Sequence, residues 1–422
     1  MDATREIAIA LVRDALGFAR GKIDHERLAA LDEVQWRAVY RFTVTHFVTA
    51  LAFARVSQLP REAMPGRGVL IEWMVHADKV AADNRRIAAA TCAFAALMAD
   101  HGIRPIILKG AGIAMFWPDP SLREASDVDI FLGGKFAEGN EAMRSLGIVV
   151  TDRYSETHNE FVYKGVLLEN HRTLVNAYYN AASRRVEAAL HRILAAEGTR
   201  RVEIGGGATG AENGTASTVL PPCADPRQPS ADQRASVGEL ASLGCEAQAV
   251  RPGRDDHPPH TVDAVIPGPR FNALHVAHHM ATHFAGGGIL LRHLCDWTCM
   301  VQAGQVDFEQ LRRDAPAAGF IRFVDALTGI CIDRLGLAEH LAPGIVRDAR
   351  LEVRILAEIL ASDGKQTFHD KGDTALSVIR YKAAIYFRRG WKHKLIYNEH
   401  PAMRAVHTLR MLAVKPAKIV HK

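Results

Sequence analysis

The run "IILKGAGIAMFWPDPSLREASDVDIFL", residues 106–132, passes from a strand pattern through a short helix pattern to a second strand. Its first apolar segment ends at Lys109 and Gly110, and its last, "DVDIFL", places Asp127 and Asp129 inside an otherwise apolar strand. Successive side chains of a strand point to opposite faces, so the two aspartates share one face. Burying carboxylates is costly unless positive charge lies beside them. The pattern therefore predicts one face against a core and one acidic face beside a cation.

A third acid is expected on the same face. The segments "HNEFVYK" and "GVLLENH" read as two strands separated by Gly165, as in a hairpin. Glu169 and His171 share one face of the second strand. If that strand lies beside "DVDIFL", Glu169 joins Asp127 and Asp129. Carboxylates together with substrate phosphates hold Mg²⁺ or Mn²⁺, and such a cluster suits two-metal phosphoryl or nucleotidyl transfer. The three acids are thus predicted as catalytic residues and metal ligands.

Two further elements of the run are expected to bind phosphate. Lys109 and Gly110 stand where a strand gives way to a helix, so backbone N–H groups there can approach a phosphate closely, and the lysine adds a mobile cation. Arg123 lies on the proline-containing loop, four residues before Asp127, and could clamp a phosphate or a pyrophosphate leaving group. The alternative for Arg123 is a simple ion pair with a neighbouring acid, Glu124 or Asp127.

Length and composition are those of an ordinary soluble globular protein with two or three domains, or with one domain and a large accessory part. The 422 residues carry a formal charge of +5, and no apolar run is long enough to cross a bilayer. The acidic, helix-patterned N-terminus is not a secretory signal, and six scattered cysteines without CxxC spacing indicate neither a zinc ribbon nor a disulfide scaffold. The expected class is a cytoplasmic enzyme of bacterial type.

Along the chain, four regions differ in pattern. Residues 1–100 show helical periodicity, and residues 101–204 mix short strands with helices. Residues 205–268 are rich in Gly, Pro and Ser and are predicted to be a flexible insertion. Residues 269–422 return to helical periodicity and end in a basic tail. The predicted fold is α+β, a small mixed sheet flanked by N- and C-terminal helical domains.

A histidine-rich helix follows the insertion. "LHVAHHMATHF" places His275, His279 and His283 on one helical face, next to His278. These side chains suit a transition metal or are hydrogen-bonded structural groups. In "LLRHLCDW", Arg292 and Asp296 lie one turn apart and form either an ion pair or part of a cleft. The residues predicted to line a cleft for an acceptor molecule are His171, His279, His283, Arg292 and Asp296.

The basic tail leaves the partner open between two kinds of anion. From Thr374 to Lys422 there are eleven Lys or Arg and one acid, Glu399, so this segment carries about +10. Such a field suits nucleic acid or an anionic membrane surface, and it also attracts a small anionic substrate. We expect a nucleotide and a small molecule such as a sugar phosphate rather than nucleic acid.

The residues quoted above resemble a known family, the uncharacterised nucleotidyltransferases of the DNA polymerase β-like superfamily. The likeness extends to "HFAGGGILLRHLCDW" and to "RYKAAIYFRRGWKHKLIYNEHP" near the C-terminus. A departure is the pair Gly110–Ala111, where the wider superfamily has Gly-Ser or Gly-Gly. The positions that match the family motifs are Lys109, Gly110, Arg123, Asp127, Asp129, Glu169 and His171.

The resemblance implies a polymerase β-like sheet and transfer of NMP from an NTP, such as ATP, to a hydroxyl or phosphate acceptor. Mg²⁺ or Mn²⁺ would be held by Asp127, Asp129 and Glu169, while Lys109, Gly110 and Arg123 would hold the phosphates. Pyrophosphate would be released. Two alternatives remain at this stage. One is an inactive nucleotide-binding sensor or assembly protein, and the other is an RNA-binding or RNA-modifying protein of the same fold.

Overall fold

A computed structural model describes residues 3–18, 23–152, 156–177, 180–203, 219–220, 263–315, 317–361 and 387–398. Helices dominate these ranges: α1 (Ala3–Leu16), α2 (His25–Ala29), α3 (Glu33–Thr45), α4 (Thr49–Val56), α5 (Arg67–Asp100), α6 (Ala111–Ala114), α7 (Phe136–Ser145), α8 (Ala181–Glu197), α9 (Pro269–Gly286), α10 (Leu291–Gln302), α11 (Phe308–Asp314), α12 (Ala318–Leu335) and α13 (Ala349–Leu360). A further helix covers 387–397. The strands are β1 (Ile106–Ile107), β2 (Asp127–Phe131), β3 (His158–Tyr163), β4 (Val166–His171), β5 (Thr199–Glu203), β6 (Val219–Leu220) and β7 (Asp263–Pro267).

These strands form one mixed sheet in the order β3-β4-β2-β1-β7-β5-β6. β2 pairs antiparallel with β1 and parallel with β4. β1 pairs parallel with β7, and β3 with β4 forms an antiparallel hairpin. The hairpin turns at Lys164 and Gly165, which both have positive φ, as a two-residue turn with the twist of the strands requires. The predicted α+β class with a small mixed sheet is confirmed.

The long helix α5 covers the apolar face of the sheet. Phe94 and Met98, near its C-terminal end, belong to one buried cluster with Val128 and Ile130 of β2 and Leu168 of β4. Val128 and Ile130 are fully buried. The side chains of "DVDIFL" therefore alternate between the two faces of the sheet as predicted. The apolar residues face α5, and the aspartates face away from that helix. Burial of this face against α5 fixes the strand register, because a one-residue shift would bury the acids instead.

Helices from both ends of the chain share one core. A second cluster joins Trp36 and Trp73, in α3 and α5, with Phe284, Trp297 and Phe320, in α9, α10 and α12. All five rings are almost fully buried. The indole N–H of Trp73 donates to the Thr49 carbonyl, and that of Trp297 donates to Thr328, so these large side chains are buried without unpaired polar atoms. The N- and C-terminal helices thus pack together in one core.

Three strand expectations differ from the structure. The apolar run "IVV", residues 148–150, is typical of a short strand, but it has no strand structure, and the adjacent Thr151 only bridges to Glu160. β5 was not predicted, although it pairs along its length with β7. β7 itself lies inside the stretch 205–268 that was predicted to be flexible, yet it enters the middle of the sheet. Its pairing with β1 is non-local, so the polar sequence around it gave no sign of it. Apart from β6 and β7 with the adjoining Gly268, the residues of that stretch lie outside the described ranges.

The helix at 387–397 packs against α12 and the pocket side of α9. Trp391 contacts Phe284 with ring centroids 5.6 Å apart, and the Tyr397 hydroxyl donates to Thr282. Backbones approach closely at Gly319, because a Cβ there would overlap the carbonyl of Leu395. The rest of the basic tail, 362–386 and 399–422, lies outside the described residues.

We expect Gly319→Ala to lower the free energy of unfolding by about 1–3 kcal/mol, the usual effect of forcing extra volume into a close contact. Urea unfolding of the two proteins measures the difference. The matched control is Gly390→Ala, on the other helix, where a Cβ would meet nothing within 4 Å. Replacing a helical glycine by alanine should leave stability unchanged or raise it by about 0.5–1 kcal/mol. Equal effects of the two substitutions would contradict the close approach at Gly319.

Candidate active site

Three acids meet on the sheet face opposite α5. Asp129 of β2 is the direct cross-strand partner of Glu169 in β4, and Asp127 is two residues earlier on the same face. Glu169 in turn lies opposite Glu160 of β3. Asp129 is 5% exposed, while Asp127 and Glu169 are partly buried. The structure therefore brings the three sequence-predicted acids together, as the parallel pairing of β2 with β4 requires.

Asp129 is the most deeply buried of the three and has two basic partners. Lys109 Nζ lies 2.8 Å from its Oδ1, and His171 Nε2 lies 2.9 Å from the same oxygen. Burial acts to raise the pKa of Asp129, but Lys109 and His171 outweigh it and hold that pKa well below its ordinary value. Burial likewise acts to lower the pKa of His171, and its bonds to Asp129 and Glu169 reverse this and raise it. Asp129 is therefore ionised inside the sheet.

The environment of Asp127 shifts its pKa in the opposite direction from that of Asp129. Its pKa is raised, first by burial and then by the charges of Asp129 and Glu169. The hydroxyl of Ser126 lies 3.3 Å from its Oδ1. Burial acts to raise the pKa of Glu169, but the hydrogen bond from His171 and the charges of His158 and His171 together lower it. A positive charge placed between these carboxylates would remove the repulsion that Asp127 experiences.

Lys109 and Gly110 lie at the turn between β1 and α6. Gly110 has φ near 58°, and a Cβ there would lie 3.2 Å from the Asp127 carbonyl oxygen, so both the conformation and the space favour glycine. α6 is only four residues long. Lys109 faces the acids and also comes within 3.5 Å of His279 Nδ1. The lysine-tipped turn thus abuts the acidic face, as the sequence predicted.

Arg123 has a different partner from those expected. Its Nε and one Nη donate to the two carboxylate oxygens of Asp296 in α10, at 2.7 and 2.9 Å, and this fork is 6% exposed. The indole of Trp117 donates to the same carboxylate. Asp296 therefore pairs with Arg123 and not with Arg292, whose guanidinium donates to the Glu124 carbonyl. Arg123 borders the pocket, but its main role in the structure is to fix its loop to α10.

We expect Arg123→Met to destabilise the protein by about 3–5 kcal/mol, because it leaves the buried Asp296 carboxylate without its cation. The double variant Arg123→Met/Asp296→Asn should recover most of this loss, since the amide carries no charge and still accepts from Trp117. Chemical unfolding of the three proteins tests this. Arg86→Met, which removes an exposed ion pair with Asp83, is the control and should change stability by about 0.5 kcal/mol or less. A single variant as stable as the wild type would contradict the assignment.

The acids open onto a pocket of about 1220 Å³. Histidines of α9 and α10 also line it. The rings of His279, His283 and His293 lie together, with centroids 4.3 to 6.2 Å apart. Of the residues predicted for an acceptor cleft, His279, His283 and Arg292 line this pocket. His171 also lines it, but on the acidic side, and Asp296 is the partner of Arg123.

The α9 histidines are neutral. Burial lowers the pKa of His275 to about 3 and the pKa values of His278 and His283 to about 4. His275 Nε2 hydrogen-bonds the Leu174 carbonyl, and His278 Nε2 lies 3.2 Å from the hydroxyl of Ser183. Among the described residues these histidines bring no three ligand atoms within 4.8 Å of one another. Of the two expectations for them, this geometry favours hydrogen-bonded groups over a metal site.

The free energy of unfolding should therefore decrease as the pH is lowered below 6.5, the ordinary histidine pKa. The unfolded chain takes up protons there, whereas the folded histidines do so only near pH 4, so each one stabilises the fold above pH 6.5 and loses that contribution as the pH falls. The slope is about 1.4 kcal/mol per pH unit for each group. We expect His278→Gln to reduce the slope of unfolding free energy between pH 6 and 4.5, measured by urea titration, while the exposed His25→Gln does not. Identical slopes for all three proteins would contradict a neutral His278.

Arginines form a third side of the pocket. Arg354 of α13 and Arg388 and Arg389 of the 387–397 helix line it. The Arg354 guanidinium stacks on the Trp391 ring at 3.6 Å, which fixes its position. Arg292 lies nearer the acids. Burial and the charge of Arg123 lower the pKa of Arg292, and its Nε has no hydrogen-bond partner within the described part of the chain. The pocket is thus acidic on the sheet side and basic on the helical side.

Sequence reasoning missed two histidines of this site. His158 of β3 is the cross-strand partner of His171. The sequence could have predicted this pairing, because a two-residue hairpin turn at Lys164 and Gly165 places His158 opposite His171. His293 lies on α10, and it reaches His279 only because α9 and α10 cross. Nothing in the local sequence indicates that crossing.

The fold and the three-acid face define a class, an α+β protein in which a small mixed sheet carries three neighbouring carboxylates on one face. Residues 32–207 match the model of a family described as uncharacterised nucleotidyltransferase, which confirms the resemblance seen in the sequence. The matched region runs from α3 to just beyond β5 and contains the acids, the lysine turn and the Arg123 loop. No curated protein and no solved structure matches the chain. Across the described ranges, none of the helices has the length and apolar character needed to cross a membrane.

Proposed function

We propose that this protein transfers NMP from an NTP to a hydroxyl or phosphate acceptor and releases pyrophosphate, with the help of Mg²⁺ or Mn²⁺. The observation that carries the proposal is the convergence of Asp127, Asp129 and Glu169 on one sheet face. Three carboxylates this close are unfavourable without a counter-charge. Lys109 and His171 compensate Asp129, and His171 also compensates Glu169, whereas the pKa of Asp127 remains raised. The match of residues 32–207 to a nucleotidyltransferase family supports the same reaction class.

The donor set fits a divalent cation. Carboxylate oxygens are the protein ligands that Mg²⁺ and Mn²⁺ prefer. Asp127, whose pKa is raised by burial and by its acidic neighbours, would gain most from such an ion. Asp127, Asp129 and Glu169 would hold the ion. When bound, it would neutralise developing charge on the triphosphate oxygens.

The remaining residues bind and orient the substrates. Lys109 and the Gly110 backbone would contact the triphosphate, and Arg292, with its unpartnered Nε, would bind a phosphate oxygen. The acceptor oxygen forms a bond to the α-phosphorus while the bond from that phosphorus to the bridging β-oxygen breaks, and the electron pair leaves with pyrophosphate. The acceptor's proton passes to a carboxylate in this cluster, for which Glu169 is the candidate.

The acceptor is proposed to be a small anionic molecule such as a sugar phosphate. The pocket exceeds the roughly 300–1,000 Å³ typical of a single small ligand, so an NTP and a second small molecule fit together. Arg354 and Arg388 also line the pocket, and they would attract a negative group on the acceptor. They would also draw the two anionic substrates into the same pocket.

We expect Asp127→Asn to reduce nucleotidyl transfer by at least about a hundredfold, because several kcal/mol of charge stabilisation at the phosphates would be lost. Asn preserves the side-chain volume, so the fold should remain intact. Asp129 is less suitable, since its removal leaves Lys109 buried without its carboxylate. The measurement uses each labelled NTP with Mg²⁺ and a metabolite extract, followed by mass spectrometry of the labelled product and a pyrophosphate assay.

The control is Glu141→Gln, an exposed acid on α7, which should transfer at the wild-type rate. Transfer by Asp127→Asn at the wild-type rate would overturn the proposal. If the protein bound NTP but released no pyrophosphate over long incubation, the result would instead indicate an inactive nucleotide-binding sensor. Labelled RNA as the product, with affinity that falls steeply with salt, would indicate the RNA-modifying alternative.

A further inference from the structure

We infer a second cation site on the sheet, formed by His158, Glu169 and His171, that takes a first-row transition metal such as Mn²⁺ or Zn²⁺. Within the described residues these three side chains are the group whose ligand atoms all lie within 4.8 Å of one another. All three line the pocket. The site shares Glu169 with the proposed Mg²⁺ ligands but needs neither nucleotide nor catalysis to exist.

The hairpin β3–β4 builds this site. His158 and His171 are direct cross-strand partners, so their rings project from the same face, with centroids 5.2 Å apart. Glu169 stands two residues before His171 on that face. Its Oε2 lies 3.5 Å from His171 Nε2 and 3.8 Å from His158 Nε2. In a tetrahedral site with metal–ligand distances of about 2.0–2.2 Å, the ligand atoms lie only slightly closer to one another than these atoms do. Small side-chain adjustments would therefore close the site around an ion.

Neighbouring groups orient the two rings. The Thr157 hydroxyl lies 3.1 Å from His158 Nδ1, which leaves Nε2 as the nitrogen toward Glu169. Such a bond to the second ring nitrogen is the usual support of a metal-binding histidine. Asp129 Oδ1 lies 2.9 Å from His171 Nε2 and Glu160 Oε1 lies 3.5 Å from His158 Nε2. Further oxygen ligands are thus at hand when an ion replaces these contacts.

The ligand types select the ion. Imidazole nitrogen suits Zn²⁺, Co²⁺ and their neighbours, whereas Mg²⁺ prefers oxygen ligands. Two nitrogens and one carboxylate form a mixed set, and the affinity should follow the general order in which Co²⁺ and Zn²⁺ bind more tightly than Mn²⁺. The acids Asp127 and Asp129, in contrast, offer oxygen alone. The sheet face therefore carries one position for a hard cation and, beside it, one for a softer cation.

The test uses the full chain, stripped with a chelator and titrated with Co²⁺, Zn²⁺, Mn²⁺ and Mg²⁺ in the absence of nucleotide. Calorimetry gives the affinities, and visible absorption of the Co²⁺ form reports nitrogen ligation. We expect His158→Ala to weaken Co²⁺ and Zn²⁺ binding by at least about 10–100-fold, the range already found when only a supporting partner is lost, and to abolish the Co²⁺ absorption bands. The Asp127→Asn variant should retain both the binding of Co²⁺ and Zn²⁺ and the Co²⁺ absorption bands.

The control for incidental binding is His191→Ala, which removes an exposed His–Glu pair with Glu187 that has no third ligand nearby. It should behave as the wild type. A second variant, His158→Gln, is measured together with its thermal midpoint, which shows whether a loss of metal binding is due to loss of the ligand or to unfolding. Co²⁺ binding that survives His158→Ala, or that is lost in Asp127→Asn alone, would overturn the second site. Absence of nucleotidyl transfer with intact Co²⁺ binding would overturn only the proposed function.

Discussion

The buried carboxylate of Asp129 is the constraint on which the rest of the site depends. An ionised acid inside a sheet is tolerable only with cationic partners in good geometry, and here Lys109 and His171 both lie within 3 Å of one oxygen. These contacts join the turn after β1 to β2 and β4. They also explain the strict separation of faces, since the opposite side of β2 is filled by α5. The acidic face is therefore built into the packing of the sheet.

The loop that connects the lysine turn to the aspartates is held by helices from both ends of the chain. Arg123 forms its buried fork with Asp296 of α10, and the neighbouring Glu124 accepts from the backbone N–H groups of Thr49 and Ala50 at the start of α4. Asn84 of α5 donates to two carbonyls of the same loop. Arg123, predicted as a phosphate ligand, thus also holds its own loop against α10. These contacts tie the loop to the core that the helices share.

The pocket combines three electrostatic environments. Acids lie on the sheet, neutral histidines line α9 and α10, and arginines lie on α13 and the 387–397 helix. Burial keeps His279 and His293 neutral, so the positive charge is concentrated at the lysine turn and the arginines. These positive groups would attract an anion into the pocket that the acids also line. The hairpin histidines add nitrogen ligands at the edge of the acidic face, which makes two kinds of cation site possible within one pocket.

The sequence by itself determined the periodic elements. The alternation in "DVDIFL" gave the two faces of β2, the Gly165 turn gave the hairpin, and the helical patterns gave most helices. It also brought the acids and Lys109 into one proposed site, because those residues are spaced within or near single elements. Only the tertiary structure decided the partner of Arg123, the insertion of β7 between β1 and β5, and the meeting of His279 with His293. These depend on contacts between residues distant in sequence, and local periodicity carries no information about which distant surfaces pack together.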